Sequence, residues 1–325
     1  MRPTQPSPLA LVSAIIPTLL PERLSALGRA AESVLNQSYP HLEVLVVADG
    51  PQATHADTLE ERVRDPRLRV VRRSRQGGPG AARNTGAQAA KGKYLAFLDD
   101  DDEWLPNKLE VQMELAAEHP EAALIFSDAY MVKDGEKIAL LPSIKFQGPP
   151  TLEELCERNF IPCLTVLLKR DVFMNVGGFD PSLEIWGFDD WDLWLRVMRF
   201  HSAVFNPLPL AIHYRHEDNY SNTIRFLEAQ GALLRKQLRL FSDNPRCAAI
   251  FREQMMQFES QRGYRMHLEA YFCMLSAQYK EARVCLKRAI RHYPLYLKNY
   301  AYLLFTYLPP SAYAAVRRLK RALWP

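Results

Sequence analysis

Four consecutive aspartates, Asp99 to Asp102, follow directly on the apolar run Tyr94-Leu95-Ala96-Phe97-Leu98. Neighbouring carboxylates repel one another, so the end of a buried strand is a costly place to put them. A bound divalent cation offsets that cost, and carboxylate oxygens suit hard ions such as Mg²⁺ or Mn²⁺. Mg²⁺ takes one or two protein carboxylates and fills its shell from phosphates, which points to a nucleotide diphosphate as companion ligand. The plainer alternative is a solvated acidic turn whose aspartates cap the helix that follows.

The surroundings of this run set the fold class. Leu11 to Pro17, Leu42 to Val47, Leu68 to Arg72, Tyr94 to Leu98 and Ala122 to Ser127 read as strands, mostly as short apolar runs buried on both faces. Helical patterns stand between them: one opened by Pro21 with Leu24, Leu27, Ala31, Val34 and Leu35 on one face, then Asp57 to Arg64, Ala81 to Ala90 and Asn107 to Glu118. Such alternation predicts an α/β domain with a central, mostly parallel sheet. Ligands of such sheets bind outside the carboxyl ends of the strands, where Asp49 and Asp99 to Asp102 fall. Beyond this, Leu164 to Leu168 is strand-like, Arg170 to Val176 a helical turn and Asp190 to Phe200 an amphipathic helix. Strand signals fade near residue 225, which divides the chain into a domain over 10–225 and a helical region over 226–325.

Composition removes several classes. With 41 Lys+Arg against 37 Asp+Glu, the net charge of +4 is too balanced to announce a nucleic-acid binder, and the arginine-rich stretch from Arg62 to Arg75 reads as a solvated face. Five dispersed cysteines without a CxxC pair argue against a disulfide scaffold or a thiolate zinc site. No apolar run reaches the roughly 18 residues of a membrane span. Pro17 interrupts the apolar N-terminal stretch, so it is expected to be a first strand rather than a signal peptide. The expected location is cytoplasmic.

Three further segments carry chemistry. Gly77-Gly78-Pro79-Gly80 opens a helix whose backbone N–H groups and dipole favour an anion, with Arg83 one turn on, although neither a Walker loop nor a full GxGxxG is present. Trp186-Gly187-Phe188-Asp189-Asp190-Trp191 sets two acids among rings suited to sugar faces, or else is a helix start with core tryptophans. His213-Tyr214-Arg215-His216 offers groups for a diphosphate or a metal shell.

Together these segments resemble family 2 glycosyltransferases with the GT-A fold. The resemblance spans residues 10 to 220 and rests on motifs in family order: Val12–Thr18, Ser33–Tyr39, Glu43–Gly50, Gly80–Asn84, Phe97–Asp102, Gly177–Asp180 and Asp189–Asp192. It implies an inverting, metal-dependent transfer from a nucleotide-sugar, a UDP-sugar being expected, to a glycan or lipid-linked acceptor in surface polysaccharide or glycolipid synthesis. Pro17 or Thr18, with Asp49, would hold the base, and Arg83 would lie near the nucleotide. Asp101 would bind Mg²⁺ or Mn²⁺ together with Asp99, while Asp99 or Asp100 would contact ribose. His216 would lie near the diphosphate. Asp190 would be the catalytic base, ionised at neutral pH if near the ordinary value of about 3.9. Gly178, Trp186, Asp189 and Trp191 would form the acceptor side. Ala48 and Leu19-Leu20 depart from the family's usual residues. A nucleotidyltransferase and a non-catalytic nucleotide- or carbohydrate-binding protein are the alternatives. The basic amphipathic stretch Ala312 to Leu323 suggests peripheral contact with the inner face of a membrane.

Overall fold

A computed structural model describes residues 9–133, 135–141, 146, 148–215, 224–275, 278–292, 294 and 296–307. The first half alternates as its periodicity dictates: β1 (Val12–Thr18), α1 (Leu24–Leu35), β2 (Leu42–Ala48), α2 (His55–Val63), β3 (Leu68–Arg72), α3 (Gly78–Ala89) and β4 (Tyr94–Phe97). All seven residues of β1 are buried, as both faces of this part of the sheet are covered by helices. The strands run parallel in the order β3-β2-β1-β4. The chain thus leaves β1 toward β2 and later returns to its other side at β4. That reversal opens a crevice at the carboxyl ends of the strands.

The second half makes the sheet mixed. It contributes β5 (Glu103–Trp104), α4 (Lys108–Glu118), β6 (Leu124–Lys133), β7 (Glu136–Ala139), α5 (Leu152–Glu157), β8 (Leu167–Lys169), α6 (Arg170–Asn175), α7 (Asp189–Met198) and β9 (Ala203–Tyr214). β8 lies antiparallel between β4 and β6, and β9 runs parallel to β6 with β5 on its outer side. The sequence pattern does not predict β9, because Pro207 and Pro209 interrupt it and proline cannot donate to a ladder. The strand accommodates them where the β6–β9 register shifts around Asp128.

The helices α8 (Ile224–Leu240), α9 (Pro245–Leu275), α10 (Tyr279–His292) and α11 (Leu297–Phe305) follow. Contacts group the chain into Met1–Ile250 and Phe251–Pro325, so α8 belongs to the sheet-containing unit and the division falls within α9. His216 and the stretch Ala312 to Leu323 lie outside the described residues.

Motifs noted in the sequence prove to be ties within the first unit. Gln37 donates to the carbonyl of Leu105 (2.7 Å) and accepts from the amide of Leu109 (2.9 Å), fixing the start of α4 after the aspartates. Asn84 donates to the carbonyl of Phe179 (2.8 Å) and accepts from its amide (2.9 Å), holding α3 to the loop before α7.

Gly86 lets α3 sit close on the sheet. A Cβ there would lie 2.5 Å from Ile15 Cγ2 and 3.0 Å from Val47 Cγ2, both on fully buried side chains. Gly86→Ala gains about 1 kcal/mol of helix propensity but overpacks the core at a cost of about 1–3 kcal/mol. We expect a net loss in chemical denaturation, with Gly148→Ala, which meets nothing within 4 Å, as the neutral control. A Gly86→Ala midpoint at or above that of the parent protein would show that this contact is not limiting.

Candidate active site

The aspartate run is stabilised by the protein's own cations. Arg23 Nη1 lies 2.7 Å from Asp100 and 2.9 Å from Asp101. Arg83 Nη2 pairs with Asp99, and His213 Nδ1 lies 3.1 Å from Asp102, which also accepts from the amide of Tyr214. Exposure alternates along the run: the side chains of Asp99 and Asp101 are 44% and 20% exposed, those of Asp100 and Asp102 only 7% and 1%. The inner pair therefore anchors the loop, and the outer pair faces the cleft. Two open carboxylates match the needs of a hard cation that completes its shell from phosphate and water. No group of three or more His, Cys, Asp or Glu forms a ready metal cluster among the described residues. Arg23 and His55 carried no signal in the sequence. Their partners lie dozens of residues away.

Arg83 joins the two sides of the cleft. It projects from α3, is 5% exposed, and pairs with Asp99 beyond β4 and with Asp189 at the start of α7 (3.3 Å). Its guanidinium also lies 5.3 Å from the centre of the Phe179 ring. Burial raises the pKa of Asp189, and Arg83 opposes the shift. Asp190 stands beside it at the rim, accepting from the amide of Trp191 (2.6 Å) and from Asn159 Nδ2 (3.2 Å). Burial, reinforced by the charge of Asp189, pushes Asp190 up to about 7. The expectation of an ordinary aspartate there is corrected: the group titrates near neutrality, where it can accept a proton and also give one up.

The residues assigned to the nucleobase are turned inward. Asp49 is 3% exposed and accepts from the amides of Gly77 (3.0 Å) and Gly78 (2.8 Å), with Arg73 Nε at 3.3 Å. The anion expected at the glycine-rich helix start is thus a carboxylate of the chain itself. Thr18 donates to Asp100 (2.6 Å) and stands 2.7 Å from His55 Nε2, so its hydroxyl ties β1 to the aspartate run. Pro17 is buried within β1, paired in register with Val47.

The structure separates the residues expected to form an acceptor side. Trp186 and Asp189 line a small hollow with Gly77, Gly78, Gly80 and Asp180. Trp191 does not. It is 6% exposed and donates its indole N–H to the carbonyl of Leu155, so its ring belongs to the core, as helical spacing with Trp194 and Leu195 requires. Gly178 is buried at φ +69°, and a Cβ there would lie 2.5 Å from Asn84 Oδ1, so its part is to shape the turn. Asp192 is fully buried and held by Arg196 (2.7 Å), Gln237 (2.7 Å) and Lys236 (2.8 Å), which leaves it no catalytic reach. A larger hollow of about 1190 Å³ opens at the opposite ends of the strands, lined by Tyr39, Lys91, Tyr94 and Lys169, away from these acids.

The chain and its fold have known counterparts. Residues 13–177 match glycosyl transferase family 2, and residues 157–217 match a family described as the N-terminal domain of galactosyltransferase. TuaG of Bacillus subtilis (strain 168), a glycosyltransferase assigned to teichuronic acid biosynthesis, is 36% identical over 143 residues, 43% of this chain and 55% of TuaG. The chain thus spans little more than half the length of that relative. WfgD of Escherichia coli, a UDP-Glc:alpha-D-GlcNAc-diphosphoundecaprenol beta-1,3-glucosyltransferase, is 30% identical over 192 residues, 58% of this chain and 70% of WfgD. Among solved structures, S. aureus TarS 1–349 in complex with UDP-GlcNAc superimposes with a TM-score of 0.61 at 18% identity, over 95% of this chain and 92% of that one. The mannosyltransferase PcManGT from Pyrobaculum calidifontis, in complex with GDP-Man and Mn²⁺, gives 0.57 at 17% identity, over 98% and 88%. The fold is GT-A, and the chain belongs to glycosyl transferase family 2.

Proposed function

We propose that the chain transfers a sugar from a nucleoside-diphosphate sugar, a UDP-sugar, to a hydroxyl of a glycan or lipid-linked acceptor, inverting the anomeric carbon. The setting is surface polysaccharide or glycolipid synthesis on the cytoplasmic side of a membrane. The observation that carries this reading is the Arg83 guanidinium between Asp99 and Asp189. It ties the outward acids of the aspartate run to the segment that carries the half-buried Asp190, which supports a donor beside the first and an acceptor beside the second. In one displacement the acceptor oxygen bonds to the anomeric carbon, the bond to the diphosphate oxygen breaks, and the acceptor proton passes to Asp190. Asp99 and Asp101 would hold Mg²⁺ or Mn²⁺, whose positive charge would neutralise the leaving diphosphate. Asn159 and the Trp191 amide orient Asp190, and Trp186, which lines the hollow beside Asp189, would cover an apolar sugar face. Release of nucleoside diphosphate from a UDP-sugar with acceptor present tests the reaction. Pyrophosphate release would indicate nucleotidyl transfer instead.

Asp190→Asn is expected to lower turnover by roughly 10²–10⁴-fold, the usual share of a positioned base, with donor affinity by calorimetry nearly unchanged. Because the carboxyl is held up to about 7, parent activity should rise with pH, pass half its plateau near 7 and level above that. Stability has the opposite sign. A raised pKa favours the protonated fold, so this group's contribution is lost as pH climbs from about 4 to about 7. The Asn variant should therefore melt higher than the parent at pH 8 and lose that advantage near pH 4. Wild-type turnover in the variant, or turnover lost wholly through donor binding, would move the base elsewhere.

Arg23 competes with any cation for Asp101, since one nitrogen bridges Asp100 and Asp101. Arg23→Gln should tighten Mn²⁺ binding to the donor-free protein by roughly three- to tenfold, as expected for removing one partly screened charge. Asp101→Asn should weaken it and abolish transfer. Unchanged Mn²⁺ affinity in both variants would rule out a cation at Asp101.

A further inference from the structure

The helix α11 is turned inside out. Leu297, Tyr300 and Leu304 on the helix and Tyr307 just past its end, spaced three or four residues apart, line one side and are 76%, 41%, 70% and 59% exposed. The polar Asn299 and Thr306 are buried instead, at 0% and 2%. Thr306 donates to the carbonyl of Leu303 and accepts at its own carbonyl from Arg283, whose guanidinium lies 4.4 Å from the Tyr307 ring centre. On an ordinary surface helix the apolar stripe faces the core. A contiguous Leu/Tyr face left in water marks an interaction surface.

Charge identifies the partner. Residues 278 to 325 carry ten Lys and Arg against one acid, Glu281, while the 277 residues before them have a net charge of −5. On α10 the side chains of Lys287, Arg288 and Arg291 are exposed, and Lys298 flanks the α11 stripe. A second copy of this region would bring two strongly basic surfaces together, which electrostatics opposes. An anionic lipid surface offers negative headgroups for the basic side chains and an apolar boundary for leucine. Tyrosine suits the same depth, with an apolar ring and a polar tip. We propose that the α11 face of Leu297, Tyr300, Leu304 and Tyr307 docks on an anionic membrane surface, steered there by the basic residues around it. The observations behind this are independent of the sugar and acceptor proposed above.

The test is co-sedimentation of the full chain with vesicles of phosphatidylcholine alone and of equal parts phosphatidylcholine and phosphatidylglycerol. The parent should bind the anionic vesicles, bind the neutral ones far more weakly, and come off at high salt as the headgroup attraction is screened. Leu297→Ser/Leu304→Ser should weaken binding to the anionic vesicles at least tenfold, the loss of two apolar anchors. These side chains are exposed, so the melting temperature should stay unchanged and confirm the fold. Equal binding by parent and double variant would overturn the assignment of this face. So would parent protein that ignores both vesicles but forms a dimer, in sedimentation velocity, that the double variant abolishes. Release of nucleoside diphosphate in solution, measured on the same samples, keeps the outcome separate from that for the transferase reading.

Discussion

The site depends on one buried guanidinium. Arg83 takes Asp99 from the end of β4 and Asp189 from the start of α7, two segments 90 residues apart in the chain. Asp189, 6% exposed, needs that partner, because a buried carboxylate left unpaired is costly; Asp99 is more exposed and the same guanidinium fixes its direction. Arg83 can serve both because its planar fork presents several donors in fixed directions. Gly86, one turn on, lets α3 lie close to β1 and β2, and Asn84 pins the Phe179 loop to the same helix. The single helix α3 thus sets the geometry of the aspartate run, the start of α7 and the core together.

The aspartate run shows how such a cluster survives in a folded protein. Its charge is divided: Asp100 and Asp102 turn inward to Thr18, Arg23, His213 and the Tyr214 amide, and Asp99 and Asp101 turn outward. Part of the repulsion that suggested a bound cation is absorbed by arginine and histidine before any ligand arrives. Asp99 and Asp101 reach the surface of the run while still paired, with Arg83 and Arg23 respectively. Asp190 is the complementary case: its environment raises its proton affinity instead of neutralising its charge.

Much of this was legible in the sequence, and what was not has identifiable causes. The strands and helices up to α4 follow from apolar periodicity, and the acids fall at strand ends because an α/β sheet puts them there. β9 stayed hidden because Pro207 and Pro209 break the strand pattern, and only a bulged register accommodates them. Trp191 looked like a sugar platform beside two acids, although the spacing of Trp191, Trp194, Leu195 and Met198 already marks a core face. The roles of Arg23, His55 and Asn159 depend on partners 31 to 77 residues away, which no local pattern reveals. The proton affinity of Asp190 is likewise a product of burial in the assembled fold.

The central claim is that one arginine fork organises both halves of a transfer site. Arg83→Lys tests it most directly, since lysine keeps the charge but cannot span Asp99 and Asp189 as a fork does. Sugar transfer from a UDP-sugar should fall by at least roughly 10²-fold, the scale of catalytic groups shifted by about an ångström, with the charge at this position retained. Transfer near the parent rate in Arg83→Lys, with an unchanged response to Mn²⁺, would contradict the account.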